Sequence, residues 1–143
     1  MTLTLDCQPN AQTLALAAAL RHRVFVLEQG VDQAIEQDGR DHEARHVVVR
    51  DVSGEVVGTG RLMLGEGYAK VQRVAVAAER RGQGVGRKVM EGLDQVALGL
   101  GMNEMRLSSQ AEAVPFYTRL GYHTQGEPYL EAGIVHLAMR REL

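Results

Sequence analysis

Residues 80–88 read Arg-Arg-Gly-Gln-Gly-Val-Gly-Arg-Lys, with glycines at every second position inside a basic rim. They stand between an apolar run, "VQRVAV", and an amphipathic run that continues to Leu100. The first turn of a helix leaves backbone N–H groups without partners, and the peptide dipoles add partial positive charge at that end. Glycines let the chain curl so that successive N–H groups converge, with no side chain in front of them. An anion, and a phosphate in particular, is attracted there. Arg80, Arg81, Arg87 and Lys88 add charge around the rim. The segment reads as a pyrophosphate cradle, and equally as a glycine-rich turn that only starts a helix.

Two other phosphate loops do not fit. The nucleoside-triphosphate loop ends in Gly-Lys-Ser/Thr, whereas Gly86 is followed by Arg87-Lys88-Val89, without the hydroxyl that holds the metal. The dinucleotide fingerprint is G-x-G-x-x-G at the end of a first strand, and here the spacing is Gly82-x-Gly84-x-Gly86. Metal chemistry finds little support. His42 and His46 are four apart, but "HVVVR" is strand-like and no third ligand is near, so no metal site is expected. Cys7 reads as a small hydrophobe on or near the first strand.

The elements that must position the glycine loop follow from periodicity. "TLTLD" alternates and predicts a strand over 2–6. Pro9 and Asn10 cap a helix expected from Ala11 to Val24, with a further turn up to Gln29. Residues 30–43 are polar and irregular, a loop long enough to be functional. "ARHVVVRD", "VVGTGRLML" and "YAKVQRVAV" predict an antiparallel meander over 44–76, with Gly58 and Gly60 marking a bulge or bend. Val85, Val89, Leu93, Val96 and Leu100 share one helical face, so a helix is expected from Gly84 to Leu98. "MNEMRLSS" is the fifth strand, parallel to the fourth because a helix connects them. "AEAVPFYTRLG" predicts a short helix, and "YHTQG" and "IVHLAMRR" two last strands. The sum is an α/β fold: a mixed, mostly antiparallel sheet with helices on its faces.

Composition sets the outer bounds. The chain has 143 residues, 45% hydrophobic and 24% charged, which fits one domain over 1–143. The net charge of −2 favours neither nucleic acid nor an anionic membrane as partner. No apolar run reaches membrane-spanning length, and "MTLTLDCQPN" lacks a signal core, so a cytoplasmic location is expected.

The full stretch "VQRVAVAAERRGQGVGRKVMEGL" resembles the acetyl-CoA signature of the GNAT N-acetyltransferases, an apolar strand followed by Arg/Gln-x-x-Gly-x-Gly/Ala opening a helix. "AVPFYTRLGY" resembles the same family's downstream element, and "FVLEQG", "DG" at 38–39 and "LSSQAEAVPFY" are most similar to its ElaA-type branch. The resemblance implies the acyl-CoA N-acyltransferase fold, with helices on both faces and with strands four and five splayed. It implies acetyl-CoA as cosubstrate. Arg81, Gly82, Gln83, Gly84, Val85, Gly86 and Arg87 would hold its pyrophosphate, largely through backbone amides. Val74, Ala75 and Val76 would pair with the pantetheine arm like an added strand, and an N–H near Val74 would polarise the thioester carbonyl. Tyr117 falls where the family's tyrosine protonates the departing thiolate. Gln110 stands where many members carry a cofactor-contacting Asn; the ElaA-type branch also has Gln.

On the acceptor side, a protonated amine cannot attack until its proton is taken. Glu28, Asp38, Asp41, His46 and His136 are candidates, and Glu28 is the one assigned, at the end of the first helical region where the family builds its acceptor pocket. By strand alternation, one of Gln72 and Arg73 should face that pocket. Residues 125–134 are expected as a loop near the cleft, with Tyr129 and Glu131 shaping acceptor choice. The implied partner is a small-molecule or peptide amine, and the family's frequent dimers make a homodimer an expectation too. An acyl-CoA-binding module of the same fold that has lost the chemistry is the alternative.

Overall fold

The computed structural model describes residues 2–143. One seven-stranded sheet has the spatial order β1-β2-β3-β4-β5-β7-β6. Its strands are β1 (Thr4–Asp6), β2 (Arg45–Arg50), β3 (Val56–Leu64), β4 (Tyr68–Val76), β5 (Glu104–Gln110), β6 (His123–Glu131) and β7 (Ile134–Glu142). Every neighbouring pair is antiparallel except β4 and β5. These two are joined by helix α3 (Val85–Gly99), the long crossover that a parallel pair requires.

Helix α1 (Ala11–Arg21) is capped by Asn10, whose side chain accepts from the Thr13 amide at 2.8 Å. The chain does not leave the helix at Val24. It continues as a π-helical segment from His22 to Glu28, in which the Gln29 amide reaches back to the Val24 carbonyl. The segment expected as an irregular loop contains the short helix α2 (Gln33–Glu36). Helix α4 (Val114–Arg119) follows β5, with proline in its first turn, where a missing N–H costs nothing.

The core lies on both faces of the sheet. Val47, Val48 and Val49 of β2 are fully buried, as a run of valines flanked by helices should be. Helix α3 lays Val85, Val89 and Leu93 directly on β3. Gly58 and Gly60 make that approach possible: a Cβ on Gly58 would stand 2.5 Å from Val85 Cγ1, and one on Gly60 would stand 2.9 Å from Val89 Cγ1. Close helix packing is thus a second requirement for these glycines, beside the register shifts near them. On the opposite face sit α1 and α2. Among the described residues no helix is long and apolar enough to cross a membrane.

Residues 125–134 do not form the expected loop. Strand β6 runs to Glu131, and a two-residue turn at Ala132 and Gly133, both at positive φ, returns directly into β7. That is the hairpin geometry favoured by strand twist. Pro128 is tolerated because β6 is an edge strand whose register shifts between Gln125 and Tyr129.

Candidate active site

The ladder between β4 and β5 runs from the Tyr68–Glu104 pair to the Val71–Leu107 pair and then stops. Beyond it the strands diverge, and Gln72–Val76 have no partner on that side. Two features open the gap. Opposite Gly60, β4 carries an extra residue between Gln72 and Ala75, and Arg73 has φ +57°. Such a bulge bends the strand and turns its backbone groups. The resulting cleft measures about 790 Å³, within the range of small-molecule sites.

The bulge also changes side-chain direction. Gln72 and Arg73 do not alternate across the sheet; both reach the α1/α2 face. Gln72 Oε1 accepts from Arg61 at 2.8 Å, while Arg73 donates to the Glu36 carboxylate at 3.0 Å and the Ile35 carbonyl at 3.0 Å. The expectation of one facing residue is corrected to two.

At one end of the cleft lies the glycine loop. Gly82 and Gly84 have φ of +76° and +85°, and Gly84 is the N-cap of α3. The first helical bond runs from the Lys88 amide to the Gly84 carbonyl at 3.1 Å, so the amides of Val85, Gly86 and Arg87 precede it. Gly86 is needed for clearance, since a Cβ there would meet Phe116 at 3.2 Å. The loop places these amides at the opening of α3, where an anion could be met, and Val74, Ala75 and Val76 line the same cleft beside it. A phosphorylated ligand with a linear arm fits this combination of cradle and unpaired strand edge.

Tyr117 projects from α4 into the cleft on the α3 side, only 9% exposed. Its ring makes edge contacts with Phe116 at 4.9 Å and Tyr122 at 5.9 Å. Burial pushes its phenol up to about 12, which keeps the proton on at any working pH. Gln110, at the end of β5, donates to Gln29 Oε1 at 2.8 Å and so ties the strand to the π-helical segment.

The sequence reading missed a charge network on the α1/α2 face. Arg61, on β3, is 1% exposed. It donates to Asp38 at 2.6 Å and to Asp41 at 2.8 Å. Arg21 pairs with Glu36 at 2.7 Å and Asp41 at 2.8 Å, and Arg73 pairs with Glu36 at 3.0 Å. Hydrogen bonds from Arg61 hold the Asp38 carboxyl far below the usual carboxylate range. Burial alone would raise Asp41, but its bonds from Arg21 and Arg61 outweigh that and lower it. The network pins residues 33–41 over the sheet. A lone arginine inside the apolar run "GTGRLML" was its visible signal, because a buried guanidinium needs carboxylates.

Glu28 is gripped through both carboxylate oxygens by Arg81, a residue that lines the cleft, with Nη2 to Oε1 at 2.8 Å. The Arg81 hydrogen bond holds the Glu28 carboxyl below its ordinary value. In the free protein Glu28 is thus engaged by Arg81, and its carboxylate becomes available to take a proton only when that pair opens. His46 is half-buried, and its Nε2 lies 2.8 Å from the Asp41 carbonyl oxygen. His136, Glu131 and Ala132 line the cleft from the β6–β7 hairpin.

Comparison with known proteins agrees with this geometry. The acetyltransferase (GNAT) domain matches residues 6–143. The uncharacterized N-acetyltransferase YjcF of Bacillus subtilis is 38% identical over 134 residues, covering 93% of this chain and 95% of the relative. The crystal structure of an acyl-CoA N-acyltransferase from Pseudomonas aeruginosa superposes with a TM-score of 0.82 at 32% identity, over 98% of both chains. Escherichia coli ElaA superposes with a TM-score of 0.85 at 26% identity, over 99% of this chain and 100% of that one.

Proposed function

We propose that this chain, which belongs to the GNAT acetyltransferase family, moves an acetyl group from acetyl-CoA to a primary amine by direct attack, with both substrates bound together. The observation that carries the reading is the adjacency of two features: the β4–β5 ladder ends at Val71–Leu107, and the glycine loop opening α3 stands beside the unpaired strand edge. Neither feature alone specifies an acyl thioester; together they match a pyrophosphate attached to an extended amide-bearing arm.

Acetyl-CoA supplies an activated acyl carbon and a thiolate leaving group. The amides at Gln83–Arg87 and the Arg81 guanidinium would hold its pyrophosphate. Val74, Ala75 and Val76 would offer main-chain hydrogen bonds to the pantetheine arm. An N–H at the bulge, near Val74, would polarise the thioester carbonyl, in an orientation fixed before the substrate arrives. Tyr117 would give its proton to the departing sulfur, a role that its buried, fully protonated phenol suits. Glu28 would hold Arg81 in the free protein, and Gln110 would lie where the arm passes α4.

The test is thiol release from acetyl-CoA with a panel of amines, polyamines and peptides, alongside calorimetric binding of CoA. Saturable CoA binding with acetylation of at least one amine supports the reading. Binding without turnover on any amine, peptide or protein would make the fold a ligand-binding module instead.

A further inference from the structure

Acetyl transfer needs a group that accepts a proton from the attacking nitrogen, and in the free protein the carboxylates on the α1/α2 side are held by arginines. Glu36 and Asp38 pair with Arg21, Arg61 and Arg73, and Glu28 pairs with Arg81. The other half of the sheet offers a different group. His136 on β7 is 6% exposed and lines the cleft. Its Nδ1 lies 2.7 Å from the Ile134 carbonyl oxygen. A carbonyl only accepts, so Nδ1 carries the hydrogen, and in the neutral form of the ring the lone pair is on Nε2. Glu131 Oε2 stands 3.5 Å from that Nε2. When the ring is protonated its Nε2–H faces that carboxylate; when it is neutral the two are both acceptors, and an ammonium group placed between them would donate to each.

The ring is held in place. Tyr129 stacks on it with centroids 6.3 Å apart and planes at 27°, and the Tyr129 hydroxyl bonds Ser108 Oγ. His136 is the register partner of Gln110, and Gln110 reaches Gln29 on the α1 side. The histidine therefore lies on the α1/α2 face. Tyr117 lies on the other, where Arg141 joins Leu120 at the end of α4 to Asp94 of α3.

We infer that His136 is the proton acceptor of the reaction, and that His136 and Glu131 together form the subsite for a primary ammonium group. This rests on the acetyl-transfer reading and gives it a substrate class: an alkyl amine that arrives protonated. One N–H bond of the ammonium breaks and its proton moves to His136 Nε2. The freed lone pair forms the bond to the acyl carbon, and the carbon–sulfur bond breaks with its electron pair going to sulfur. Sulfur takes the Tyr117 proton, and the nitrogen's second surplus proton restores the phenol. The products are the amide, the free thiol and one proton passed from His136 to solvent. Acid and base thus work from opposite faces of the split sheet. The other charged groups lining the α1/α2 face of the cleft are Glu36 and Asp38 from the pinned segment and Lys70 and Arg73 from β4.

The test uses His136→Gln and Glu131→Gln in the full chain. Propylamine and phenethylamine serve as ammonium acceptors, and aniline and hydroxylamine as acceptors that are neutral in the same buffer. His136→Gln should bind acetyl-CoA as wild type does. Its kcat should fall about 100-fold with the ammonium acceptors and change little with the neutral ones. The ascending limb of its pH–rate profile should disappear. Glu131→Gln should raise KM for the ammonium acceptors about 5-fold, the order expected for an exposed charge pair. In the wild type without acetyl-CoA, ring ¹⁵N NMR should show the Nδ1–H tautomer at His136, with Nε2 responding to added propylamine. An ammonium rate in His136→Gln equal to wild type overturns the inference and leaves the acetyl-transfer reading standing. If His136→Gln fails to bind acetyl-CoA, an unchanged KM in Glu131→Gln with no Nε2 response overturns it. Wild-type protein that binds acetyl-CoA yet acetylates no amine overturns both.

Discussion

Arg81, which lines the cleft, grips Glu28 with both terminal nitrogens, while the same guanidinium donates to the Val76 carbonyl at 3.1 Å. Val76 is part of the strand edge that the pantetheine arm would use. The arginine that would meet the pyrophosphate therefore occupies that edge beforehand, and ligand binding must exchange one set of partners for another. Glu28→Gln should tighten acetyl-CoA binding by up to about 5-fold, because a half-exposed ion pair contributes at most about 1 kcal/mol. Calorimetric titration of both proteins checks this. Weaker binding, or a kcat about 100-fold lower, would return Glu28 to the chemistry.

Gly84→Asp puts a negative charge in the cradle at a position with φ +85° and nothing within 4 Å of the new Cβ. Aspartate tolerates that backbone region better than most residues, so the fold should survive with a loss of about 1 kcal/mol. Acetyl-CoA affinity should drop by about 100-fold from repulsion and lost access to the amides. Circular dichroism with binding calorimetry reads the two effects separately.

Tyr117→Phe should lower kcat about 100-fold with acetyl-CoA affinity held, because the ring still packs against Phe116 and Tyr122. Burial raises the phenol to about 12, so its protonated form persists throughout the accessible pH range. The wild-type rate should show no descending limb from this group below pH 10 or so. A limb near the ordinary phenol value that vanishes in Tyr117→Phe would contradict the burial argument.

Gly58→Ala drives a methyl to 2.5 Å from Val85 Cγ1. Overpacking of this kind costs about 1–3 kcal/mol. Since Val85 is the first residue of α3, the same push displaces the amides of the cradle. Thermal unfolding and acetyl-CoA titration should both report it, and Val85→Ala in the same chain should recover part of each.

Asp38 and Asp41 have folded-state pKa values below the ordinary 3.8. Their contribution to stability is fully present above that value. It is lost as pH falls through the folded pKa, because the unfolded chain takes up protons first. Melting temperature should therefore drop steeply below about pH 4, and Asp38→Asn should flatten that drop. Glu36→Gln removes the carboxylate shared by Arg21 and Arg73 from a site 4% exposed, and should destabilise by about 3 kcal/mol or more.

The parts of this molecule readable from sequence are those set by near neighbours. The helix expected over 84–98 is found at 85–99, since its periodicity and its glycine start lie within one segment. The meander and the parallel crossover followed for the same reason. What escaped depends on residues far apart in the chain. Arg73 sits in the left-handed region at the bulge opposite Gly60, where its side chain is held by Glu36 and Asp38. Glu36 becomes a buried anchor only when α1 and β4 bring Arg21 and Arg73 to it. The hairpin at Ala132–Gly133 was a different kind of miss: its Ala-Gly signal was local, but the polar composition around it read as loop.

Only four residue pairs, Tyr68–Glu104 through Val71–Leu107, join β1–β4 to the β5–β7–β6 unit by strand pairing. Beyond that seam the two halves are tied by side chains instead: Gln110 of β5 reaches Gln29, and Arg141 of β7 reaches Asp94 of α3. The width of the slot near Val74 is therefore set by individual side-chain bonds rather than by a backbone ladder, and single substitutions at these ties should alter it.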